Sequence, residues 1–130
     1  MESYGYRFDT PGRSIVITGD TAPTQATIDA CSGCDVLIHE VNTLTALAAR
    51  PKTFQAFAAM YHTSTAQLAE LAAQAKPKLL VLYHASISLR PHVDPNFRDN
   101  AANSSPEELF YEVRSRYDGK FVVARDLDVY

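Results

Sequence analysis

Three short apolar runs constrain what this chain can fold into. Ile15-Val16-Ile17-Thr18, Val36-Leu37-Ile38 and Leu79-Leu80-Val81-Leu82 read as buried strands, and segments with helical spacing lie between them. Repeated strand–helix–strand order calls for a largely parallel sheet with helices packed on it, an α/β fold. The run at 79–83 is almost continuously apolar, as befits a strand covered on both faces. At the amino end, Tyr4, Tyr6 and Phe8 alternate with Ser3, Gly5 and Arg7, the period of a half-buried strand. Thr10-Pro11-Gly12 then turns the chain into the run at 14–18, so the two are expected to pair as a hairpin and make the sheet mixed.

The helices carry their own punctuation. One follows Pro23-Thr24, places Ala26, Ile28 and Ala30 on its length, and stops at Gly33. Another starts at Ser64, whose spacing to Gln67 makes a capping box, and continues through Leu68, Leu71, Ala72 and Ala75 to Lys76-Pro77. The last has Ser105 as its cap, Pro106 in the first position, Glu107 and Glu108 in the first turn, and Gly119 at the stop. Two stretches are too long for simple connections, 41–61 and 85–103, and both leave the same edge of the sheet. Phe54, Phe57, Met60 and Tyr61 in the first of these could line a pocket, but their Ala-rich apolar spacing favours a helix packed on the core.

At 130 residues the chain fits one domain, and 46% hydrophobic with 21% charged residues is ordinary for a globular protein. A net charge of −3 provides no basic footprint for nucleic acid. No apolar stretch is long enough for a bilayer and the first residues lack the features of a signal peptide, so a cytoplasmic location without membrane attachment is the expectation. The two cysteines form Cys31-Ser32-Gly33-Cys34. With no second pair to complete a structural zinc site, they are read as small residues packed at a helix-to-strand turn.

What buried strands do not need is a polar, chemically capable residue at each exit. Here Asp20 follows the first run, His39-Glu40 the second and Tyr83-His84 the third. The carboxyl ends of strands are where open α/β sheets bind ligands, and Asp, Glu and His hold metals and move protons. Asp20 could bridge two cations or merely cap a turn, with Gly19 letting the backbone bend. His84 could reach a metal through a neutral ring nitrogen, although a single histidine is more often structural. His62 stands just before the Ser64 helix, and Glu40 beside it would orient the ring, a pairing that suits a general acid. His39 is read as structural, because strand alternation turns it from Glu40. His92 has no evident partner.

Taken in order, Gly19-Asp20-Thr21, Leu37-Ile38-His39-Glu40, His62-Thr63-Ser64-Thr65-Ala66 and Leu80-Val81-Leu82-Tyr83-His84 resemble the carboxy-terminal half of a metallo-β-lactamase-fold hydrolase, within it the ribonuclease Z-like branch. That resemblance implies a fold, half of an αββα sandwich, and a chemistry, zinc-dependent hydrolysis of phosphodiester or other ester bonds. It implies that Asp20 bridges two zinc ions, that His84 ligates one of them, and that His62 protonates the leaving group with help from Glu40. Several positions differ from the branch's usual pattern: Thr18 for Ser, Glu40-Val41-Asn42-Thr43 for Glu-Ala-Thr, His62-Thr63-Ser64 for His-Ser-Thr and His84-Ala85-Ser86 for His-Phe-Ser. These favour a relative acting on another ester than a tRNA 3′ end. The superfamily's His-x-His-x-Asp-His motif does not occur in residues 1–130. The chain is therefore read as one partial domain over 1–130 that needs an amino-terminal half or another chain to complete a site, with a homo-oligomer also open. Alone it is expected to bind zinc weakly and to hydrolyse nothing. Two other classes remain open from the residues: a metal-free binding or regulatory module with Asp20 as its pocket acid, and a non-catalytic assembly fragment pairing through a sheet edge.

Overall fold

The computed structural model describes residues 3–85 and 104–130. Its chain order is β1 (Tyr6–Thr10), β2 (Arg13–Ile17), α1 (Gln25–Cys31), β3 (Val36–Glu40), α2 (Leu44–Ala48), α3 (Lys52–Tyr61), α4 (Thr65–Ala75), β4 (Leu79–Tyr83), α5 (Pro106–Arg114) and β5 (Phe121–Val123). The strands form one mixed sheet in the order β1-β2-β3-β4-β5, antiparallel only between β1 and β2. The hairpin and the crossovers expected from the runs are both present. The stretch at 41–61 is not a loop: it contains α2 and α3. The second long stretch falls mostly outside the described residues.

The spatial order of the strands decides where the helices go. From β2 to β5 each parallel neighbour is the next in sequence, so right-handed crossovers all step the same way and place their helices on one face. Accordingly α1, α4 and α5 pack in a row. Register aligns Val16, Leu37, Leu80 and Phe121 across the sheet, and these join Leu68, Leu71, Ala72, Leu109 and Val113 in the buried core. Alternation sends Ile17, Ile38, Val81 and Val122, aligned in the next row, to the opposite face, together with Tyr6 and Phe8 from β1. β1 is exposed along its whole length rather than half-buried, since it extends past the helix layer. Its Arg7, on the helix side, reaches the Cys31 carbonyl at 3.3 Å.

Local chemistry accounts for the ends of the elements. Both capping boxes are formed, Ser64 with Gln67 and Ser105 with Glu108, and each satisfies amides that the first helical turn leaves unpaired. Helix α1 stops where Ser32 and Gly33 adopt positive φ, 39° and 82°. Cys31 and Cys34 pack at that turn as expected, but they are joined as a disulfide instead of remaining free. Among the described residues no helix is long and apolar enough to cross a membrane.

Candidate active site

The carboxyl end of β3 delivers Glu40 into the molecule instead of to its surface. Its side chain is fully buried, and Oε1 accepts from the Thr21 amide (3.1 Å), the Thr63 amide (3.1 Å) and Nδ1 of His62 (3.2 Å). Oε2 has no partner among the described residues. Burial pushes the Glu40 carboxyl above its usual range, opposed by the amides of Thr21 and Thr63 and by His62. Three separate segments thus converge on one oxygen: the loop after β2, the end of β3 and the α3–α4 junction. Thr63 adds a tie of its own, its hydroxyl donating to the Thr21 carbonyl at 2.6 Å.

His62 is the hinge between two helices. Its amide bonds back to Ala58, closing α3, and two residues later Ser64 opens α4. The ring's Nδ1 faces Glu40, so Nε2 is the nitrogen free to act outward. At the end of β4, His84 takes a positive φ of 48°, unusual for a side chain with a Cβ. Its Nδ1 stands 3.0 Å from Oδ1 of Asp20, and both side chains are about half exposed (53% and 51%). Asp20, His62 and His84 each offer a donor atom within 4.8 Å of the others. All four residues singled out in the sequence therefore meet at one rim of the sheet. Gly19, at the bend before Asp20, also makes room: a Cβ there would come within 2.7 Å of Ser3 Oγ and 3.1 Å of the Tyr4 carbonyl, so glycine admits the segment that precedes β1.

Other residues take parts that their types do not announce. Tyr83 aligns with Glu40 across β3 and β4, and its hydroxyl donates to the Thr18 carbonyl. Burial raises its pKa, and the charges of Asp20 and Glu40 add to that. Backbone donors such as Thr21 and Thr63 leave no mark in a sequence. The period-2 alternation of β4 did place Tyr83 on Glu40's side, which was the available signal. His39 is fully buried on the helix side, its Nδ1 2.7 Å from the Glu40 carbonyl, and burial lowers its pKa. It takes no part in the rim cluster. His92 lies outside the described residues.

The donor set can be compared with what a zinc ion requires. Two ligands at ~2.0–2.1 Å in tetrahedral geometry stand ~3.3 Å apart, close to the Asp20–His84 separation. The residues fit such an ion as part of its shell, on the open side of the sheet edge.

A family model described as a beta-lactamase superfamily domain matches residues 1–85, a span that includes Asp20, Glu40, His62 and His84. The chain belongs to the beta-lactamase superfamily. Among proteins similar to this superfamily member, ribonuclease Z of Haloarcula marismortui is 32% identical over 116 residues, covering 89% of this chain and 31% of that protein. Ribonuclease Z of Anoxybacillus flavithermus is 38% identical over 90 residues, 63% of this chain and 25% of its own length. The metallo-beta-lactamase fold protein YhfI from Bacillus subtilis superimposes with a TM-score of 0.68 at 20% identity, over 98% of this chain and 43% of that one, a likeness of fold. The superfamily and the ribonuclease Z-like branch expected from the motifs are thus the ones found. The chain spans 31% and 25% of the length of these two curated relatives.

Proposed function

We propose that this chain supplies one part of a metal-dependent hydrolase site for phosphodiesters or related esters. The observation that carries this reading is the meeting of Asp20, His62 and His84 within 4.8 Å, with a buried carboxylate locked behind His62. In this reading Asp20 and His84 would hold the zinc, with Asp20 shared between two ions, and the metal would supply Lewis-acid polarisation of the scissile oxygen and hydroxide near neutral pH.

The chain's own residues do the rest. Protonated His62 donates from Nε2 to the departing oxygen as its bond to phosphorus breaks and water's oxygen takes its place. Glu40 keeps the other proton on Nδ1, so the ring emerges neutral in one tautomer and is reloaded by the proton that water releases. Because Glu40 is fully buried and held by two amides, it positions the ring without itself meeting substrate.

Two donors are fewer than the three or four protein ligands a stable zinc site takes. The apolar row of Ile17, Ile38, Val81 and Val122, on the sheet face opposite the α1–α4–α5 row, fits a second layer that would bring the remaining ligands. That layer is an amino-terminal half or a separate chain. The natural substrate class is a phosphodiester, and the net charge of −3 means that an RNA partner would need positive surface from that other layer.

Metal analysis and an ester-cleavage assay test this together. The 130-residue chain should retain zinc weakly and turn over nothing, whereas the completed protein should hold zinc firmly and cleave the ester. In the completed protein Asp20→Ala or His84→Ala should lose metal and activity, and His62→Ala activity alone. Robust turnover by the 130-residue chain would overturn the partial-site reading.

A further inference from the structure

Helix α3 is out of keeping with its composition. Ala58 is its one buried residue, while Phe54, Phe57, Met60 and Tyr61 are 40%, 47%, 62% and 39% exposed. The expectation that these rings pack on the core does not hold. They are ordered against one another instead. Phe54 and Phe57 have centroids 6.1 Å apart, Phe57 and Tyr61 4.9 Å, Phe57 and His62 6.2 Å, and His62 and His84 6.3 Å. A row of rings therefore runs along an exposed helix face and ends in the site. At its far end the Arg50 guanidinium lies 5.3 Å from the Phe54 centroid, with Lys52 close by in sequence. From Phe54 to His62 the helix rise gives roughly 12 Å, room for one or two planar groups.

We propose that the Phe54–Phe57–Tyr61 row is the leaving-group subsite, a platform on which a planar aromatic leaving group stacks as His62 protonates its oxygen. This rests on the assignment of His62 as proton donor. The occupant follows from continuity: an oxygen that receives the proton of His62 must lie at the edge of that ring, in line with Nε2, and the neighbouring ring on α3 is Phe57. Exposed aromatic faces stack on planar rings of any sequence or substituent, and the cations at the outer end suit an anionic chain leaving along the row. A nucleobase on a nucleotidyl leaving group and a simple phenol share this chemistry.

Kinetics of the completed, zinc-loaded protein separate these. Three phosphodiesters with a common retained half would carry nucleoside, phenol or methanol as leaving group. Phe57→Ala and Tyr61→Ala should lower the kcat/KM ratio of nucleoside over methanol ester by about 5- to 150-fold, the range for losing one stacked base. Intrinsic leaving ability cancels when that ratio is compared between variant and wild type. Tyr111→Ala, a 69%-exposed ring on α5, is the control and should not move it. An equal fall for phenol shows that the platform reads any ring; a fall for nucleoside alone shows that it also reads the sugar. Since Phe57 is half exposed, its removal should leave the fold intact.

A second measurement does not depend on turnover. Adenosine titrated into the protein should shift the Phe57 and Tyr61 ring resonances, and Phe57→Ala should abolish the effect. An unchanged ratio, or shifts confined to other rings, would overturn the platform. So would a dimer that dissolves in Phe57→Ala with the ratio unaltered, because the row would then belong to a second copy. If His62→Ala retains turnover, the proton-donor assignment fails, and the adenosine shifts still decide whether the row binds rings.

Discussion

Glu112, on α5, ties three elements through one carboxylate, and replacing it tests how the site is held. Its oxygens accept from the Leu44 amide (2.8 Å), the Thr45 amide (3.0 Å), the Thr45 hydroxyl (2.8 Å) and the Thr65 hydroxyl (2.6 Å). Together with Thr43, which accepts from Ala46, it satisfies the first amides of α2, while Thr65 begins α4. Glu112→Ala loses exposed hydrogen bonds that water partly replaces, about 0.5–1 kcal/mol each. It also strands the hydroxyl of Thr65, a residue with no exposed surface, at about 1–3 kcal/mol. The expected loss is about 2.5–6 kcal/mol at pH 7, large against the ~5–15 kcal/mol of a typical domain. Burial would raise the Glu112 pKa, but the bonds from Thr65, Leu44 and Thr45 outweigh it and hold the carboxyl below its ordinary 4.5. A depressed folded-state pKa contributes stability that is present above the unfolded value and is lost as pH falls through the folded one. Urea unfolding followed by circular dichroism should therefore show a wild type–variant gap that is full at neutral pH and shrinks in acid, below the ordinary carboxylate range. Glu112→Gln, which keeps an acceptor without the charge, should fall between the two. A gap under 0.5 kcal/mol at pH 7, roughly the noise of surface substitutions, or one that persists unchanged in acid, would refute the reasoning.

Three further outcomes are expected. Gly119→Ala would place a Cβ 2.2 Å from the buried ring of Tyr117, so a loss of about 1–3 kcal/mol should appear in denaturant unfolding, and a neutral result would mean the ring moves freely. Asp35 is held at about 2 by the Lys78 ammonium and the Ser14 amide; Lys78→Ala should raise its NMR titration midpoint, and an unmoved midpoint would assign the effect to Ser14. Leu80→Ala, at a fully buried position between Leu37 and Phe121, should cost about 2–5 kcal/mol, and a Tm within a degree of wild type would contradict the one-sided core.

Much of this molecule is local in origin and was legible for that reason. A serine three residues before Gln67 or Glu108 satisfies amides within one turn, so the starts of α4 and α5 need nothing distant. The apolar run at 79–82 makes a central strand whatever surrounds it. The order of Asp20, Glu40, His62 and His84 at element ends was likewise visible, because right-handed parallel crossovers return every strand to the same edge. Other features depend on which surface meets which. The spacing of Phe54, Phe57 and Tyr61 is the spacing of a core helix, and only the placement of α3 outside the row of α1, α4 and α5 leaves those rings in water. The alternation of β1 promised one covered face, yet the helix layer ends before reaching it. The sequence sets Glu40 at a strand end near His62, but its complete burial comes from two amides, of Thr21 and Thr63, in segments far apart in sequence. Sequence by itself determined the elements, their direction and the chemistry at their ends, since periodicity and capping act over a few residues. Tertiary structure decided which faces are covered and how Glu40 bears on His62, since burial and hydrogen bonding between distant segments exist only once the chain has closed on itself.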